Sequence, residues 1–132
     1  MDKEDYVSIE VAKMLKDKGF DEYTSSYFVI EEYKCIFNGE QFIFRVGDID
    51  INSKLCPERV LAKRPTLYQA QKWLRGKGIN VCVANVITIE EPVEWFYAID
   101  LIYSGDGVFP MEYYPSYEEA LNNGIGRALK LI

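Results

Sequence analysis

Apolar residues recur at helical spacing in three places along the chain. Ile9, Val11, Ala12, Met14 and Leu15 follow Ser8 and stop before Gly19, which predicts a helix over residues 8–18, capped by a hydroxyl and closed by a glycine. Leu67, Ala70, Gln71 and Leu74 share a face after Pro65 and Thr66, and Gly78 ends the run. This predicts a second helix over 67–77, with Trp73 at the border of its apolar face. Ser116 and Glu119 form a capping-box pattern ahead of Tyr117, Ala120, Leu121, Gly124, Ile125, Ala128, Leu129 and Ile132, the clearest helix of the three.

Between these helices the period changes. Tyr27 to Phe37 and Gln41 to Val46 are rich in β-branched and aromatic residues, with Asn38-Gly39 between them, the pattern of a hairpin with a two-residue turn. Such a turn sets Phe37 opposite Glu40, Cys35 opposite Phe42, Tyr33 opposite Phe44 and Glu32 opposite Arg45. It gathers Tyr33, Cys35, Phe37, Phe42, Phe44 and Val46 on one core-facing side. Residues 47–65 contain Pro57 and Pro65 and read as a connector with room for one short strand or helical turn. Ile79 to Ile87 reads as a strand, and Val93 to Tyr103 as a longer one, apolar on both faces and therefore central. Ser104-Gly105-Asp106-Gly107 closes it.

The order helix-hairpin-helix-hairpin-helix predicts a single α+β domain over residues 1–132: an antiparallel sheet of four to five strands with about three helices packed mainly on one face. Lys13 to Phe20 and Lys72 to Ile79 echo one another, though two helix endings resemble each other this closely by chance.

Composition narrows the chemistry. Among 132 residues there is no histidine, which excludes Ser-His-Asp and Cys-His catalysis and removes the commonest metal ligand. Cys35, Cys56 and Cys82 are widely spaced with no C-x-x-C, so neither a disulfide framework nor a zinc site is indicated. Cys35 and Cys82 fall in strand patterns and are expected to be small buried hydrophobes. The start Met1-Asp2-Lys3-Glu4-Asp5 is too polar for a signal peptide, and no apolar run reaches the roughly 18 residues of a membrane span. A cytoplasmic address with no membrane partner is the expectation.

Three partial motifs fail on their mechanics. Asp48-Ile49-Asp50-Ile51-Asn52 opens like a calcium loop, but Ser53 stands where the turn needs glycine and Arg59 where a bidentate glutamate belongs, so a half-exposed strand accounts for it better. Gly124-Ile125-Gly126 lies inside a helix, where close packing on a sheet explains it. Glu90, Glu91 and Glu94 flank Pro92 at a link and read as solvated carboxylates. No metal or cofactor is expected.

Charge is uneven. The chain carries −6 overall with a pI near 4.7. Yet Arg59, Lys63, Arg64, Lys72, Arg75 and Lys77 give +6 across residues 59–89 with no acidic residue, leaving 9 of the 15 basic residues and all 21 acidic ones elsewhere, a balance of −12. Lys63, Arg64, Tyr68, Lys72, Arg75 and Lys77 are the candidate binding residues. An aromatic beside cations stacks a base while the cations meet phosphates, the same cations complement an acidic protein surface, and a solvated helix end uses them against its own dipole. Tyr113-Tyr114-Pro115 and Phe109-Pro110-Met111 supply interface-type residues that also serve in a core.

The segments Arg64-Pro65-Thr66-Leu67-Tyr68-Gln69-Ala70-Gln71-Lys72-Trp73-Leu74-Arg75, Gly78-Ile79, Ser116-Tyr117-Glu118-Glu119-Ala120-Leu121, Gly124-Ile125 and Ala128-Leu129-Lys130-Leu131-Ile132 resemble a family of small proteins from Bacteroides-type gut bacteria and their prophage-like mobile elements. The resemblance implies a bacterial, intracellular accessory protein and transfers no catalytic residue or cofactor. The expectation is a non-enzymatic interaction module that associates with itself or another protein. The alternatives are nucleic-acid binding through the basic segment 59–77 and a small enzyme using carboxylate or tyrosine chemistry.

Overall fold

The computed structural model describes residues 2–33, 44–50, 59–86 and 93–132. After a 3-10 turn at Lys3–Asp5 come α1 (Ile9–Asp17), β1 (Ser26–Tyr33), β2 (Phe44–Asp50), β3 (Val60–Lys63), α2 (Leu67–Gly76), β4 (Ile79–Val86), β5 (Glu94–Leu101), β6 (Gly107–Val108) and α3 (Tyr117–Leu129). Asn38-Gly39 with Cys35, the segment holding Cys56, and Glu90 with Glu91 lie outside the described residues.

The architecture is α+β with three helices, but the expected single sheet of four to five strands is corrected. Among the described residues the strands form two antiparallel three-stranded sheets, ordered β2-β1-β3 and β4-β5-β6. Each expected hairpin gains a third strand, one from the connector and one after the Ser104–Gly107 turn. Both edges of β1 are then taken by β2 and β3, and β3 stops at Arg64-Pro65, so β4 starts a second sheet. A helix followed by three strands occurs twice. The first sheet is centred on its first strand and the second on its middle one, so the two halves are not topological copies.

The hairpin register follows the two-residue turn where it is described: Tyr33 pairs with Phe44 and Glu32 with Arg45, before a bulge between Ile30 and Glu32 shifts the ladder to Ile30 with Val46. β5 is central in its sheet, as its apolar character on both faces predicts. Ile79 and Val81 of β4 and Tyr97 and Ile99 of β5 point into the core.

Each helix starts at the expected cap. The hydroxyls of Ser8, Thr66 and Ser116 accept from the backbone N–H of Val11, Gln69 and Glu119, each cap stabilising its helix by about 1 kcal/mol. Gly19 and Gly78 close α1 and α2 at φ of 90° and 83°, left-handed geometry that other residues resist. The buried faces of α1 (Val11, Ala12, Leu15), α2 (Leu67, Ala70, Leu74) and α3 (Leu121, Ile125, Leu129) join the inner faces of β4 and β5 in one core. Gly124 lets α3 settle on the second sheet, because a Cβ there would lie 2.7 Å from Val81 Cγ1 and 2.9 Å from Tyr97 Cγ.

The three helices run parallel. Ser8, at the start of α1, meets Asn122 midway along α3, and ten residues further on Lys18 Nζ donates to the Ile132 carbonyl past the ends of both helices. Tyr6 bridges Thr66 before α1 and α2, and Phe20 meets Trp73 edge-on at 5.6 Å after and late in the same helices. Glu10, Glu118 and Glu119 occupy first turns, while Lys16, Arg75 and Arg127 occupy last turns. Both choices complement the aligned dipoles, and they give the helical layer an acidic end and a basic end. No helix among the described residues is long and apolar enough to cross a membrane.

Candidate functional site

α2 turns Leu67, Ala70 and Leu74 inward, and its helical period therefore puts Tyr68, Lys72 and Arg75 on the exposed side. Tyr68 is 63% exposed, with the Arg75 guanidinium carbon 6.0 Å from its ring centre. Lys77, the C-cap residue, holds its ammonium 4.7 Å above the Trp73 ring. Three of the six candidate residues thus share the exposed face of one helix and a fourth caps its end, and two of the cations sit on aromatic faces, a geometry that stabilises by roughly 0.5–1 kcal/mol at exposed sites.

The other two candidates are placed differently. Lys63 points its ammonium at the Asp21 carbonyl, the Asp21 carboxylate and the Glu22 carbonyl, at 3.2, 3.3 and 2.9 Å. Arg64 is only 5% exposed. Its guanidinium lies 3.9 Å from the Tyr6 ring centre, donates from Nη1 to Ser26 Oγ at 3.1 Å, and sets Nη2 3.6 Å from the Asp48 carboxylate. Arg64 therefore fastens the N-terminal segment to the first sheet. The same contact turns the Asp48 carboxylate toward a cation, and Asp48 and Asp50 lie in β2. Among the described residues no cluster of three metal-ligating side chains occurs.

An open groove of about 760 Å³ lies beside Arg64, bounded by Lys3, Glu4, Tyr6, Glu10 and Glu118 among others. It continues past Tyr114 and Asn122 into a second groove of about 480 Å³ that reaches Tyr97, Glu112 and Arg127. There Tyr97 and Tyr114 stack with ring centres 6.1 Å apart, and the Tyr114 hydroxyl donates to Glu112 at 2.8 Å. Burial, with the Glu112 charge behind it, pushes the Tyr97 phenol up. Burial and then the hydrogen bond to Glu112 push Tyr114 up much further. A tyrosine that acts as base or nucleophile needs the opposite shift, so this pair stays protonated and supplies hydrogen bonds.

A pH prediction follows from the sign of those shifts. Phenols whose folded-state pKa is raised stabilise the fold fully below the ordinary tyrosine value near 10 and lose that contribution as pH climbs through the raised values. The urea midpoint is expected to fall steeply above about pH 10, with less steepness in Tyr114→Phe. Near-ultraviolet absorbance should show the two phenols ionising only as the chain unfolds, and a reversible ionisation within the folded state at the ordinary value would contradict this.

Cys82 corrects its expectation. It is exposed on the outer face of the second sheet, because Val81 and Val83 take the inward positions on either side. The burial it does have, and the Asp100 carboxylate beside it, push its thiol up, away from the thiolate that reactivity requires. Phe109 and Tyr113 pack edge-on against Phe96 at 5.2 and 6.2 Å. Asn122 is the polar residue that sequence reasoning missed. It accepts from the Ser8 N–H at 2.9 Å and donates to the Ser8 hydroxyl at 3.1 Å, a pairing across 114 positions that no local pattern announces. Comparison with protein-family models, curated proteins and solved structures returned no match to this chain.

Proposed function

We propose that this chain is a non-enzymatic interaction module that works by contact and associates with itself, with the exposed face of α2 at or near the contact surface. The observation that carries the reading is the row of Tyr68, Lys72 and Arg75 on the exposed face of α2, with Lys77 at the helix end, in a protein whose remaining charge is strongly negative. A cationic, aromatic strip of this kind steers toward acidic protein surfaces, and an acidic one exists on every copy of the chain. The raised tyrosine and cysteine pKa values give no support to the enzymatic alternative. The resemblance to small bacterial mobile-element proteins agrees with an accessory role in the cytoplasm.

Light scattering at low salt tests the reading. The wild type is expected to exceed monomer mass, and Lys72→Glu with Arg75→Glu is expected to weaken association at least tenfold, about 1.4 kcal/mol. A strict monomer that also captures no partner would refute it.

Nucleic-acid binding is the second reading, favoured by Tyr68 standing exposed beside Arg75, an arrangement suited to stacking a base next to a phosphate contact. A gel shift at low salt decides. Affinity that falls with added salt and disappears in the double charge reversal supports this reading, and affinity insensitive to both rejects it.

A further inference from the structure

Glu4, Glu10, Glu118 and Glu119 all border the groove beside Arg64. Glu10 lies in the first turn of α1, and Glu118 and Glu119 in that of α3, so the packing of these two helices holds like charges around one opening. Among the described residues none of the four carboxylates takes a hydrogen bond or an ion pair, whereas Asp21, Asp48 and Glu112 are engaged by Lys63, Arg64 and Tyr114. Of the two cations that also line the groove, Lys3 is exposed, and Arg64 is buried with Nη2 facing Asp48. The groove is therefore acidic at its mouth. Its wall is apolar and aromatic at Tyr6, Phe28, Val46 and Tyr114. Such a surface covers the aliphatic stem of a lysine or arginine while rim carboxylates meet the charged head.

α2 carries the complement. Lys72, Arg75 and Lys77 make no ion pair among the described residues, Arg75 and Lys77 resting on the Tyr68 and Trp73 rings instead. No acidic residue lies between positions 59 and 89 to neutralise them locally.

We infer that the acidic groove of one copy receives the cationic face of α2 from a second copy. This deepens the self-association reading and rests on it. Two molecules of charge −6 repel as wholes, so association selects the orientation that sets opposite patches within about 10 Å, the screening length at 0.1 M salt. Groove against groove, or α2 against α2, would press like charges together. Groove against α2 neutralises both sets, and it relieves the repulsion among the four glutamates. Every copy brings both halves of the contact at equal concentration, which favours a second copy over an unrelated basic segment.

Two experiments at low salt test the contact. Changing Glu4, Glu10, Glu118 and Glu119 to glutamine removes the charge and keeps the shape. It is expected to weaken association in light scattering about tenfold, as Lys72→Glu with Arg75→Glu does. Each variant retains one half of the contact, so an equimolar mixture is expected to exceed 15.3 kDa at a concentration where either alone is monomeric. A mixture that stays at monomer mass overturns the pairing. In the second experiment, wild type mixed from light and heavy isotopes is treated with a carbodiimide, which is expected to join Lys72 or Lys77 of one copy to one of the four glutamates of the other. If the glutamine variant fails to fold, this cross-link decides alone, and its absence overturns the inference. A wild-type assembly unchanged by the glutamines but split by Lys72→Glu with Arg75→Glu overturns the groove and leaves the α2 contact standing. A wild type that remains monomeric, even one whose groove takes up added oligolysine, overturns both.

Discussion

Gly124→Val is expected to destabilise the protein by about 3 kcal/mol, at the upper end of what overpacking a well-filled core costs. A single added carbon already falls within 3.0 Å of Val81 and of the Tyr97 Cβ and Cγ. The two Tyr97 atoms lie at the root of a side chain fixed in the central strand, so relief requires α3 to lift off the sheet. Gly124→Ala should cost less, because the helix regains roughly 1 kcal/mol of propensity. Gly126→Ala is the control two residues away. Its Cβ would meet Val11 at 3.5 Å, an ordinary contact, so it should stabilise by about 0.5–1 kcal/mol. Urea midpoints at constant slope measure all three. Equal gains from alanine at both glycines would mean that helix propensity, and not the approach to Val81 and Tyr97, governs this helix.

Arg64→Ala is expected to cost about 3 kcal/mol, combining a desolvated cation on an aromatic face, near 2, with a hydrogen bond to Ser26 near 1. Asp48 adds little to the loss, since its side chain is 40% exposed and water can take over from the guanidinium. Arg64→Met should recover more than half of the stability by refilling the space under Tyr6, because buried charge contributes less than good packing. Thermal unfolding reads the difference as a shift of several degrees for the alanine variant. If Met proves as damaging as Ala, the ionic contact with Asp48 carries the stability instead.

Helix positions were legible because the signals are local. Ser8, Thr66 and Ser116 announce starts, Gly19 and Gly78 announce ends, and the apolar stripe says which face is buried. The pairing of Glu32 and Tyr33 with β2 was legible for the same reason, since a two-residue turn predicts it, whereas the bulge before Glu32 that shifts the rest of the ladder was not. What escaped is decided by long-range partners. β3 and β6 are too short to carry a pattern, and without them the division into two sheets does not follow. Arg64 was assigned to the surface by its charge, although Ala62 two positions earlier is buried on the same side of the strand. Cys82 was assigned to the core by its residue type, although Ile79, Val81 and Val83 already claim the inner face and leave it the outer one. In both cases period-two alternation held information that composition overrode. The Ser8–Asn122 pair, and the stacking of Tyr97 on Tyr114 beside Glu112, have no local signature.

The Ser8–Asn122 clasp sets an order of events during synthesis. A ribosome that has released α1 but not yet made α3 leaves Val11 and Leu15 without their cover and the first cap without its reciprocal partner. Native packing of the amino-terminal third must therefore wait for nearly the whole chain, a delay expected of long-range contacts. During that interval the nascent polypeptide is the form most in need of chaperone shielding.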